Sequence, residues 1–216
     1  MRSRFDGQIE QLNSSMIEMG ALVESVIEGA GEALRTGDMA LAREIMEGDD
    51  RVDRMEREIE SLCLRMLLQQ QPVARDLRVI SSALKMITDM ERIGDQAADI
   101  SEIVTMMDLK RPRPDHFIPM GRAAMDMVHR AIDAYVRRDV ELARQVMDSD
   151  DLVDGLFTSV KDELVTLLTR DPSLSLEALD LLMIAKYFER IADHAVNIAE
   201  WVVYSVTGLY KGEELQ

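Results

Sequence analysis

A single cysteine, Cys63, and three histidines that stand apart in sequence leave little soft-ligand chemistry in this chain. No disulfide forms within it, and no Cys/His zinc pattern is present. Aromatic residues make up only 4%, so a core must be built from aliphatic side chains. Basic residues are in deficit: 25 Lys and Arg stand against 41 Asp and Glu, for a net charge of −16. A general nucleic-acid binder would show a basic face, so that class is excluded. Hard cations and basic partners suit the charge better. No apolar run reaches the length of a membrane span, and the opening MRSRFDGQIEQLNSS lacks the apolar stretch of a signal segment. The expectation is a soluble cytoplasmic protein without direct membrane insertion. Neither G-x-x-x-x-G-K-[ST] nor G-x-G-x-x-G occurs, so nucleotide hydrolysis is unsupported.

What the chain has instead is helix periodicity. Hydrophobic residues reach 47%, enough for a core, and Met contributes 16 residues that read as gap-fillers rather than a binding groove. Phe5, Ile9, Leu12, Met16, Met19, Val23, Val26 and Ala30 step by four and three, the seam of a long bundle helix. Gly37 reads as its stop and Asp38 as the cap of a second helix that runs to about Gln70. Pro72 fits the first turn of a third helix that runs to about Leu109. Three prolines in KRPRPDHFIP, residues 110 to 119, mark a linker at mid-chain.

After the linker the pattern repeats. DMALAREIMEGDDRVD, residues 38 to 53, aligns with DVELARQVMDSDDLVD, residues 139 to 154, and ERIGDQAADI, 91 to 100, returns as ERIADHAVNI, 189 to 198. Pro172, with Asp171 as its N-cap, answers Pro72. The predicted fold is all-α: two tandem three-helix bundles, six long helices, related by an internal repeat. The units are residues 1 to 109 and 116 to 209, with 110 to 115 as linker and 210 to 216 as tail. Helices of roughly 30 residues would be about 45 Å long.

The repeats carry acids at i, i+4 spacing, which places both on one helix face. In the first these are Asp49 and Asp53, then Glu91 and Asp95; in the second, Asp150 and Asp154, then Glu189 and Asp193. Folding each half back at its proline brings the two pairs to one height, because each lies a similar number of residues from the turn. With this many acids, roughly eight i, i+4 pairs arise by chance, most of them solvated; four pairs, level in two repeats, point to a site. The bland reading is an exposed acidic band balanced by Arg51, Arg92 and Arg190. Converging carboxylates repel unless cations join them, and oxygen-only ligation suits hard ions such as Mg, Mn, Ca or Fe, with bridging carboxylates able to hold more than one. Asp99 extends the first face by one turn, whereas its counterpart is Asn197. Asp50 and Asp151 sit about 100° away and are weaker candidates.

These doubled acidic motifs, together with QPVARDLRVISSALKMITDMERIGDQA over residues 71 to 97, resemble the PhoU family across nearly the whole chain. The resemblance implies twin all-α bundles and a cytoplasmic negative regulator of phosphate uptake and of the phosphate-starvation response. It implies an adaptor between the ATPase subunit of a phosphate ABC transporter and a sensor histidine kinase. It also implies bound metal, divalent or trivalent (Fe, Mn, Mg or Zn) and multinuclear in some members, held by the eight motif acids. The second repeat has DPSLSLEAL where the first has Arg75-Asp76-Leu77-Arg78, so the halves differ in more than Asn197.

An enzyme is the alternative: a di-iron oxidase or a metal-dependent phosphohydrolase. A ferritin-like di-iron site needs Glu-x-x-His on two helices, and only Asp126-x-x-His129 comes close. His194 lies about 100° off the motif face and reads as solvated or partner-facing. Arg75, Arg78 and Lys85 read as a charged helix face rather than a phosphate clamp, Lys110, Arg111 and Arg113 as a solvated hinge, and Ser14, Ser15, Ser81 and Ser82 as polar-face or packing residues. The expectation is a non-enzymatic adaptor, with a homodimer plausible through symmetric pairing of seams.

Overall fold

A computed structural model describes residues 2–70, 72, 74–108, 111, 113–211 and 213–214. Leu109, Lys110 and Pro112 of the expected helix end and linker, Gln71 and Val73 beside the first turn, and Gly212, Leu215 and Gln216 of the tail lie outside them. The first half is α1 (Arg2–Thr36), α2 (Met39–Gln70) and α3 (Ala74–Met106). The second is α4 (Phe117–Arg137), α5 (Val140–Asp148), α6 (Asp150–Arg170) and α7 (Ser175–Thr207). Leu209–Tyr210 and Glu213–Glu214 pair as a small antiparallel hairpin beyond α7.

The seam of α1 faces inward as its spacing dictates. Phe5, Leu12, Met16, Met19, Val23, Val26 and Ala30 are buried, and Ile9 packs against them half-buried. Eight methionines, Met16, Met19, Met66, Met86, Met90, Met120 and Met127 on the first four helices and Met107 just past the end of α3, fill the same continuous core. A flexible thioether adapts to gaps that few aromatic rings would fill. Phe117 and Phe188 meet edge to face at 6.5 Å, and Gly121 makes room: a Cβ there would stand 2.9 Å from the Phe188 ring.

The turns follow the same chemistry twice. Gly37 is left-handed, with φ of 78°, and Asp38 Oδ1 accepts from the Ala40 and Leu41 amides. In the second half Arg138 takes the left-handed place, with φ of 54°, and Asp139 caps the next helix through Glu141 and Leu142. Pro72 precedes α3 rather than entering its first turn. Asp171 caps a 3-10 turn, Pro172–Leu174, that leads into α7. The linker is fastened, not free: the Arg113 guanidinium donates to the Leu34 carbonyl at the end of α1, 2.9 Å away. Such a cation suits a helix C-terminus.

The middle helix of the second half is broken where its counterpart is continuous. Ser149 separates α5 from α6; its hydroxyl donates back to the Gln145 carbonyl at 2.7 Å and accepts from Arg130 Nη2 at 2.8 Å. Back-bonding of this kind bends helices. Position 48, its partner in the first half, is glycine and offers no such hydroxyl.

The halves join along α3 and α7, which run antiparallel. Asp89 on α3 meets His194 and Asn197 on α7, Asp99 lies beside Tyr187, and Arg78 reaches Gly208 past the end of α7. Asp95 and Asp193 therefore sit near the middle of this seam.

Left-handed backbone is costly for a residue with a Cβ, and the Arg138 side chain is exposed. Arg138→Gly is expected to raise stability by about 1 kcal/mol, seen as a higher urea midpoint with an unchanged slope. A lower midpoint would show that the guanidinium contributes more than the strain removed.

Candidate metal centre

Gly94 sets the geometry of the first acid cluster. It is buried on α3 against Val52 of α2, and a Cβ at 94 would stand 3.2 Å from the Val52 side chain. This close approach pulls together the residues that follow each of them, Asp95 and Asp53. Asp49, one turn before Asp53, completes a trio whose ligand oxygens all lie within 4.8 Å of one another. Of the four acids predicted in this half, Glu91 stays outside the trio. It lies 3.5 Å from Arg92, which also holds Asp95 at 3.2 Å.

The electrostatics of the trio are unfavourable as they stand. Partial burial, then Asp95 and Asp53, push the Asp49 carboxyl up to about 6. Asp95 is raised by burial, with Arg92 opposing and Asp53 and Asp99 adding to it; Glu91 is raised by burial and by Asp95. Asp49 Oδ1 is buried and accepts no hydrogen bond. Asp99 contributes charge toward Asp49 and Asp95 without joining the trio.

The second cluster is looser. Asp150 follows the break at Ser149, and burial with Asp154, Asp193, Asp151 and Glu189 pushes its carboxyl up to about 6. Asp193 is raised by partial burial and by Glu189. Asp150 thus feels the other three predicted acids, but Glu189 is engaged by Lys186 and Asp154 is exposed. Among the described residues they form no trio as close as that of the first half.

The donor sets fit a hard cation. Every oxygen is a carboxylate's, one of them lacks a donor, and the repulsion that raises the carboxyls is what a divalent or trivalent ion removes. Asp49, Asp53 and Asp95 would hold it, with Glu91 alongside; Asp150, Asp154, Glu189 and Asp193 would do so in the second half after Lys186 gives way. The sulfur-and-imidazole set of a structural zinc site is not met here.

The histidines are placed elsewhere. His116 pairs with Glu163, and His129 with Glu24 at 2.9 Å, while Asp126 pairs with Arg130, so Asp126 and His129 are not joint ligands. His194, expected to be solvated or partner-facing, is engaged within the chain. Its Nδ1 stands 2.8 Å from Asp89 Oδ1, which also accepts from Asn197 at 3.0 Å. Because Asp89 lies 105 residues earlier, no local spacing could reveal the contact.

A doubled helical hairpin with a carboxylate cluster in each half defines the class, an all-α twin-bundle protein. Two stretches, residues 16–104 and 117–202, match the PhoU domain, and the chain belongs to the PhoU family. It is 36% identical over 208 residues to the phosphate-specific transport system accessory protein PhoU homolog of Pseudomonas aeruginosa, covering 95% of this chain and 86% of that one. It is 35% identical over 210 residues to the homolog from Clostridium acetobutylicum, covering 96% of each. The crystal structure of PhoU from P. aeruginosa superposes with a TM-score of 0.90 over 95% of this chain and all of that one, at 36% identity. The phosphate transport system regulatory protein PhoU from Streptococcus pneumoniae gives 0.88 over 95% and 98%, at 26% identity. No helix among the described residues is long and apolar enough to cross a membrane.

A carboxyl raised on folding takes up protons as the chain folds, so stability falls as pH rises through the raised value. The metal-free protein is expected to melt higher near pH 5.5 than near pH 7.5. The difference should shrink in Asp49→Asn with Asp150→Asn. Thermal melts at matched ionic strength check this, and an unchanged difference would place the responsible groups elsewhere.

Proposed function

We propose that the chain is a non-enzymatic, cation-loaded regulator of phosphate transport: a negative regulator of phosphate uptake and of the phosphate-starvation response. It acts as an adaptor between the ATPase subunit of a phosphate ABC transporter and a sensor histidine kinase. It works in the cytoplasm as a homodimer. The role in phosphate transport is supported by membership of the family and by the accessory and regulatory roles named for its relatives. The cation is supported by one observation above others, three carboxylates within 4.8 Å with a buried oxygen left without a donor.

The bound ion, of the Fe, Mn, Mg or Zn group, would neutralise the hairpin and fix α2 against α3. An open coordination position would let it reach a carboxylate or phosphate on a partner. A ferritin-like di-iron oxidase would need imidazole ligands beside the acids, and each histidine pairs with a carboxylate outside the trio.

Asp95→Ala combined with Asp193→Ala is expected to bring bound metal to background by elemental analysis while far-UV helicity is kept. Unchanged metal content would mean that other residues are the ligands. The unaltered protein, as isolated, should capture the transporter's ATPase subunit in a pull-down; failure of the metal-loaded chain to do so would remove the adaptor role.

A further inference from the structure

The seam between α3 and α7 opens into a cleft of about 600 Å³ that the acid clusters do not account for. Asp95 and Asp193, one from each cluster, both reach it. So do Arg92 and Arg190, which occupy the same place in the two repeated motifs and enter from opposite helices. Lys211 adds a third cation from the C-terminal hairpin, where Tyr210 stacks on Trp201 at 4.3 Å and Lys211 Nζ lies 3.2 Å from Glu200. Arg92 is held by Asp95 at 3.2 Å, but Arg190 donates to no oxygen among the described residues.

Gln96 supplies the second signal. It lines the cleft, is 6% exposed, and its Oε1 has no hydrogen-bond partner. A buried amide oxygen left unpaired is costly and marks a missing donor.

We propose that this cleft binds a protonated tetrahedral oxyanion of the phosphate class. The inference rests on the cation reading above. The lining has four carboxylates, Asp95, Asp99, Asp193 and Glu200, against three fixed cations, a balance that repels an anion. Cations at Asp95 and Asp193 reverse that balance and release Arg92 from Asp95. Arg92 and Arg190 then present planar forks that match the edges of a tetrahedral oxyanion, with Lys211 and the Asn197 amide as further donors. The acceptors choose between anions. Hydrogen phosphate carries an O–H that donates to an oxygen such as Gln96 Oε1 or the Asp99 carboxylate. Sulfate at neutral pH has no proton to give, and meets those acceptors lone pair to lone pair.

The test is equilibrium dialysis of the full chain against radiolabelled inorganic phosphate, with and without saturating Mn²⁺, with bound Mn measured in the same samples. Expected is a single phosphate per chain, bound only with Mn²⁺ and not displaced by excess sulfate. Arg190→Gln should weaken phosphate roughly tenfold or more, with Mn content and helicity unchanged. Gln96→Leu should let sulfate compete. Bound Mn without bound phosphate overturns the cleft inference and leaves the cation reading standing; absence of both overturns the two together. Phosphate binding indifferent to Arg190→Gln, or sulfate binding equally well to the unaltered chain, removes the cleft as the site.

Discussion

Apolar contact between α2 and α3 forces like charges together, and much else in the molecule follows from that conflict. Val52 packs so close to Gly94 that a Cβ there would stand 3.2 Å from its side chain, so the neighbouring carboxylates have nowhere to retreat. At 4.8 Å, a pair of unit charges costs about 1 kcal/mol in water and about 3 at the effective dielectric of a protein surface. Burying one Val or Ile side chain contributes about 1.5–3 kcal/mol, and Val52, Ile59, Ile87, Met90 and Ile93 are all buried around this contact. The core therefore wins. The penalty appears as raised carboxyls, Asp49 up to about 6 and Asp95 above its ordinary value, rather than as helices that part.

The two halves meet the same conflict differently. In the first, α2 runs unbroken through Gly48 and delivers Asp49 and Asp53 from one helix face. In the second, Arg130 and Ser149 interrupt the helix just before Asp150, and Lys186 takes Glu189. The first half keeps its acids close and bears the repulsion; the second relieves part of it with Lys186, three residues before Glu189, and a bend. The antiparallel seam between α3 and α7 then turns these unequal clusters toward one cleft. Neither half could form that cleft alone, because its walls come from both.

The parts legible in the sequence are those governed by short-range rules. A seven-residue apolar repeat marks the α1 seam, Asp38 and Asp139 cap helices because a carboxylate beside free amides is favourable, and counting from Pro72 and Pro172 brings the acid pairs to one level. The parts that escaped depend on distant partners. Nothing near Ser149 announces a break, since the guanidinium that fixes its hydroxyl sits on another helix. His194 reads as solvated or partner-facing in the sequence because its partner, Asp89, comes from the other half of the chain. The exclusion of Glu91 from the trio is likewise a matter of side-chain reach: it has the correct height, but its carboxylate leans to Arg92.

On the cation reading, α3 connects two events. Its outer face carries Asp95 to the trio, and the same residue lines the inter-half cleft, where Arg92 is tied to it. Neutralising Asp95 changes both at once: α2 and α3 no longer repel, and a guanidinium on the seam loses its partner. Asp193 lines the same cleft from α7, beside the Asp89–His194 contact that links the halves, though no guanidinium is tied to it among the described residues. A ligand at either cluster thus acts on the surface by which the halves hold each other. A binding protein needs that coupling if occupancy is to be read by a partner, because a ligand that bound both arrangements equally would shift nothing.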